Sequence, residues 1–246
     1  MEAYGMELAA HVLPLLALFF AAFMQSITGF GLVMIASPLL MLFYDAKLSI
    51  ELMMLISFIG NLTQAILLRR DTNWRMIGWL ILGAVISQPI GYLIFVSLPT
   101  NTLKIVVSVV ILLAISFLQM LHPRLAITPR HSIAIGLIAG VMATTTGISG
   151  PPIALYFAYA SMAPRELRAN CISYFMLSNL AALVTFTGGG IDMRPALHEF
   201  LYLLPALFVG IACGQAAFRY VPTKLFRRLI FALLYLTCIY SIWSAL

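Results

Sequence analysis

Long apolar stretches separated by short polar loops divide the chain into eight segments, at about 12–44, 48–68, 74–96, 103–121, 132–161, 167–187, 198–218 and 229–245. Six have close to the roughly 20 residues that one membrane-spanning helix needs. The first and fifth, at about 33 and 30 residues, are too long for a single span. Each carries a polar, glycine-bearing run near its middle, QSITGFG at 25–31 and TTTGISG at 144–150. Each is therefore either one long broken helix or a hairpin of two helices.

The eight segments fall into two sets of four that look duplicated. Thr28-Gly29 matches Thr146-Gly147, and Asn61 in IGNL matches Asn179 in LSNL, at one common separation of 118 positions (28 to 146, 61 to 179). Gly83 and Gln88 in GAVISQ match Gly210 and Gln215 in GIACGQ further on. The pattern predicts an all-α polytopic membrane protein of two repeats, about 8–121 and 132–246, joined by a linker at 122–131 within one integral membrane domain.

Basic residues choose between a broken helix and a hairpin, because cytoplasmic loops collect Lys and Arg. If both long segments are hairpins, Arg69, Arg70, Arg75, Arg124, Arg130, Arg165, Arg168, Arg219, Lys224, Arg227 and Arg228 share one face, and only Lys47, Lys104 and Arg194 lie opposite. Single spans give no such bias. A hairpin plus three spans crosses the membrane an odd number of times, so the halves become inverted-topology repeats. Both termini are then expected on the non-cytoplasmic side of the cell (inner) membrane.

Composition agrees with this class and excludes others. Hydrophobic residues make up 63% of the chain and charged residues 9%, and mean hydropathy is +1.04, far from globular values of about 45–50% and about 25%. The net charge of +6 sits in loops, where it sets topology; no nucleic-acid partner is expected. Cys171, Cys213 and Cys238 are odd in number and have no metal-ligand spacing. No cofactor is called for. The N-terminus lacks a basic n-region, so no cleaved signal peptide is expected.

Each hairpin arm beside a polar run counts about 11–13 residues, a reach of roughly 16–20 Å at 1.5 Å per residue, against a hydrocarbon core of about 30 Å. The two tips are thus expected near the midplane, entering from opposite faces. Non-helical backbone at that depth needs burial in protein or a wet cavity. Ser149, Gly150, Pro151 and Pro152 read as the start of a half-helix whose free N–H groups and dipole favour an anion. Gly29 and Gly31 permit exposed backbone in the first run. The acidic residues sit at segment ends, so the neutral polar interior does not offer a carboxylate proton relay. The candidate substrate-binding residues are Gln25, Ser26, Thr28, Gly29, Phe30, Gly31, Asn61, Thr144, Thr145, Thr146, Gly147, Ser149, Gly150 and Asn179. Isolated Ser87 and Gln64 read as helix-packing residues.

SITGFGLVMIASP (26–38) and TTTGISGPPIALYF (144–157) resemble the TauE/SafE sulfite-exporter family of membrane anion permeases, and the duplicated layout carries the resemblance over almost the whole chain. Phe30 between Gly29 and Gly31 departs from the glycine-richer version common in that family. The resemblance implies transport, often export, of small sulfur-containing or organic anions such as sulfite, sulfoacetate or other sulfonates. The expected partners are this anion, the lipid bilayer and a coupling ion, proton or sodium; a homo-oligomer is left open.

Two other classes stand beside this reading. GISG (147–150) matches the Gly-x-Ser-Gly of rhomboid-type intramembrane serine proteases, but the four histidines lie near segment ends and give Ser149 no evident base. A non-transporting membrane anchor subunit is opposed by polar tips placed at depth.

Overall fold

The computed structural model describes residues 2–28, 31–120, 127–160 and 162–217, together with Ile239 and Trp243. These residues form α1 (Glu2–Thr28), α2 (Leu32–Leu40), α3 (Ala46–Leu68), α4 (Trp74–Ser97), α5 (Thr100–Met120), α6 (Pro129–Thr146), α7 (Gly150–Tyr159), α8 (Pro164–Gly188) and α9 (Arg194–Ala217), with no strand among them. The expected segment 229–245 and the first part of the linker at 122–131 lie outside the described residues, Ile239 and Trp243 apart.

Local chemistry sets the helix starts. The Asp45 carboxylate accepts the Lys47 N–H at 2.9 Å to cap α3, and the Asn73 side chain accepts the Met76 N–H at 3.2 Å to cap α4. The Thr128 hydroxyl caps α6 by accepting the His131 N–H at 3.2 Å, with Pro129 in the first turn. Four helices are long and apolar enough to cross a membrane, Ala46–Leu68, Trp74–Ser97, Arg165–Gly188 and Arg194–Ala217. Leu82, Ile86, Ile90 and Leu93 of α4, and Leu201 and Val209 of α9, leave apolar side chains on the outside, as a lipid-facing surface requires.

Both long segments break at their glycine runs. Gly147 ends α6 in the left-handed region at φ 74°, its N–H returning to the Ala143 carbonyl at 3.1 Å, and Gly31 precedes α2 at φ 110°. After the second break the chain doubles back: the Tyr156 hydroxyl of α7 meets the Ser132 hydroxyl of α6 at 2.9 Å. After the first, Tyr44 just beyond α2 donates to Glu199 Oε2 near the start of α9 at 2.9 Å. That end of α9 lies toward the N-terminal part of α1, because the two helices run parallel, Gly210 against Phe19 and Gly214 against Phe23. Burial, together with the Glu199 carboxylate, raises the Tyr44 phenol well above its usual range, so it remains a donor.

The arms differ from the sequence expectation. α1 has 27 residues and α6 has 18, or about 40 and 27 Å at 1.5 Å per residue. The polar N-terminal residues and Pro129 extend these helices beyond their apolar cores. α2 and α7, with 9 and 10 residues, reach only about 14–15 Å, half the hydrocarbon thickness. The depth of the tips therefore rests on the short second arms.

Two helix pairs hold the halves together, α4 with α6 and α1 with α9. Both crossings are lined by small residues that let backbones approach: Gly83 and Gly91 of α4 face Gly136 and Val141 of α6, and Gly210 and Gly214 of α9 face Phe19, Ala22 and Phe23 of α1. α3 lies against α8 at the centre, antiparallel to it, with Gln64 near Arg168 and Ser57 near Asn179.

Candidate anion site

The two glycine breaks meet. A side chain at Gly147 would touch both Val33 in the first turn of α2 and Ile50 of α3. Between the breaks lies a cavity lined by the start of α2 (Gly31 to Met34), the start of α7 (Gly147 to Gly150), and Gln25, Ser57, Phe175 and Asn179. The cavity is partly open and its volume is about 20 Å³, room for a water molecule or two in this arrangement. Two helix N-termini, each with first-turn N–H groups lacking an intrahelical acceptor, open on this one space.

The polar side chains around it are buried and linked. Ser57 Oγ accepts the Asn61 and the Asn179 side-chain N–H, both at 2.9 Å. Each asparagine also donates to the carbonyl four residues before it, Asn61 to Ser57 at 2.7 Å and Asn179 to Phe175 at 2.8 Å. Gln25 donates to Asn61 Oδ1. Ser149 is 6% exposed, and its hydroxyl has no hydrogen bond to a described residue. No lining residue is charged, so attraction for an anion would come from N–H groups, carboxamides, hydroxyls and the two helix dipoles.

Of the residues expected at the site, Gln25, Gly31, Gly147, Ser149, Gly150 and Asn179 line the cavity, and Asn61 lies behind Gln25. Thr146 caps the break, donating to the Met142 carbonyl at 2.9 Å and accepting the Ile148 N–H at 3.3 Å. Thr144 and Thr145 face α4 instead, donating to the carbonyls of Gln88 at 2.8 Å and Gly91 at 3.1 Å. Ser26 faces Gln64 Oε1 at 3.4 Å and packs against Gly214. Gly29, Phe30 and the Thr28 side chain lie outside the described residues.

Ser57, which joins the two matched asparagines, is a site residue that the repeat pattern does not single out. Its position one helical turn before Asn61 was the available signal. Arg168, in the first turns of α8, is half-buried, with Nη2 3.5 Å from Gln64 Oε1. Gln64 thereby links a cation on the arginine-rich face to Ser26, next to the cavity residue Gln25.

No curated protein and no solved structure matches this chain. The family model described as Sulfite exporter TauE/SafE matches residues 14–241, nearly the whole length and both halves of the site. This multi-pass helical membrane protein belongs to the TauE/SafE sulfite exporter family, a family of membrane transporters.

Proposed function

We propose that the protein is a secondary transporter that exports a small sulfur-containing or organic anion, such as sulfite or a sulfonate. The carrying observation is the shared cavity at the starts of α2 and α7, with buried Gln25, Ser57, Ser149 and Asn179 around it. Two half-helix N-termini facing each other suit an anion and repel a cation.

The transport cycle is alternating access, with one inverted half rocking against the other around the tips. Three observations support inversion. α1 pairs with α9 as α4 pairs with α6, which are the exchanged partners of a twofold relation between repeats. α6 runs parallel to α4, α9 parallel to α1, and α3 antiparallel to α8, the relative directions that an inverted pair of repeats requires. The matched asparagines make matching bonds to the carbonyls one turn before them and share the Ser57 hydroxyl. On this reading the face holding Arg69, Arg70, Arg75, Arg130, Arg165 and Arg168 is cytoplasmic. The whole chain then forms one transport domain with both termini outside the cytoplasm.

A thermal-shift series on the purified protein tests the substrate class. A ligand at 100 times its Kd stabilises the folded state by about 2.7 kcal/mol, a rise in Tm of about 5–11 °C for a chain of this size. Sulfite or a small sulfonate should give this rise at matched ionic strength, and Ser149→Ala should reduce it. No shift with any sulfur oxyanion or sulfonate would contradict the proposal.

A further inference from the structure

Glu51 stands apart from the other acidic residues. It lies inside the apolar span Ala46–Leu68, more than a turn past the Asp45 cap, and is only 8% exposed. It makes no hydrogen bond or ion pair with any described residue. The obvious counter-ion, Lys47 one turn earlier, has its ammonium over the Phe95 ring, 5.7 Å from the centroid, while its backbone N–H goes to Asp45. A carboxylate that stays charged, unpaired and buried in a membrane segment is costly, and an ionisable residue in such a place marks a functional site by default.

Its charged surroundings are sparse. Asp45 and Lys47 act on it from the start of α3, and Asp192 from the α8–α9 turn. Among the elements packed on α3, α2 carries no titratable group and α5 carries Lys104. α9 begins with Arg194, His198 and Glu199, and Glu199 is engaged by Tyr44 and faces His198. The charged residues of α8 lie at its other end, beside Gln64 and Asp71.

Position connects this carboxyl to the site. The preceding residue, Ile50, touches the second tip at Gly147. Ser57, which holds both asparagines, is six residues further along the same helix, about 9 Å at 1.5 Å per residue. A charge change at Glu51 therefore falls on the short stretch of α3 that contacts the moving tip and anchors the anion ligands.

We propose that Glu51 is the proton carrier of this transporter: its carboxyl takes up a proton from one side and releases it to the other as the anion site changes access. The proposal rests on the anion-carrier reading above and replaces the expectation that no acidic residue is placed to relay protons. The proton is transferred reversibly between water and one carboxylate oxygen, and no further reactant is needed.

The test uses a sulfonate, which stays anionic near neutral pH whereas sulfite itself takes up a proton there. Wild-type protein in liposomes should accumulate labelled sulfonate when a pH gradient is imposed. Glu51→Gln should still exchange sulfonate in counterflow but lose gradient-driven accumulation at least tenfold, and Glu51→Asp should recover part of it. pH-difference infrared spectroscopy of the wild type should show a carboxylic-acid carbonyl band that titrates and is missing in Glu51→Gln. A Glu51→Gln protein that follows the gradient like wild type, or an unchanged infrared band, would overturn the proposal alone. Failure of counterflow in the wild type as well would count against the anion-carrier reading and the coupling together.

Discussion

Asn179→Ala is expected to weaken anion binding about ten- to a hundredfold, equivalent to roughly 1.5–3 kcal/mol for a hydrogen bond to a charged group. The side chain lines the cavity, is 6% exposed, and is held by the Phe175 carbonyl and the Ser57 hydroxyl. Its removal takes away one polar lining group and loosens a second, because Ser57 then keeps only Asn61 as a donor. Isothermal titration with sulfite or a sulfonate measures the effect. Ser57→Ala combined with Asn179→Ala should be clearly non-additive, since the two side chains form one unit. Unaltered affinity in Asn179→Ala would separate this residue from the site.

The second large effect concerns assembly. A Cβ at Gly136 would land well inside contact distance of the Leu80 carbonyl oxygen, and neighbouring Gly140 is equally close to Ala84 and Ser87. The atoms facing Gly136 are all backbone atoms of α4, so the clash there cannot be relieved by turning a side chain. Gly136→Val should force α4 and α6 apart, at a cost of about 1–3 kcal/mol or more, and shift the break at Gly147 that α6 carries. Little monodisperse protein and a lower Tm are expected. Gly78→Ala, on the same α4 with nothing within 4 Å, is the control and should leave both unchanged. Equal behaviour of the two variants would contradict the close crossing.

Much of the architecture was legible in the residues because breaks in an apolar chain are conspicuous. The two glycine runs located both helix breaks, and the uneven arginine distribution pointed to hairpins, with which the Ser132–Tyr156 contact agrees. The separation of 118 paired Asn61 with Asn179, which the structure joins through Ser57. Which way a polar side chain faces was much less legible. Thr144 and Thr145 belong to the same run as Ser149, yet they turn onto α4, because a helix advances about 100° per residue and an evenly apolar sequence gives no contrast to fix its phase. The burial of Glu51 was illegible for a related reason. Counted along the chain it stands near a segment end, yet in the fold it is only 8% exposed.

On the proposed function, one anion sits between the first turns of α2 and α7. Selenite, the heavier congener of sulfite, makes that position directly visible by anomalous scattering at the selenium edge in crystals of the protein. One selenium peak is expected between Gly31–Met34 and Gly147–Gly150, within hydrogen-bonding reach of Ser149 and Asn179. A peak elsewhere in the protein, or none at saturating selenite, would contradict it.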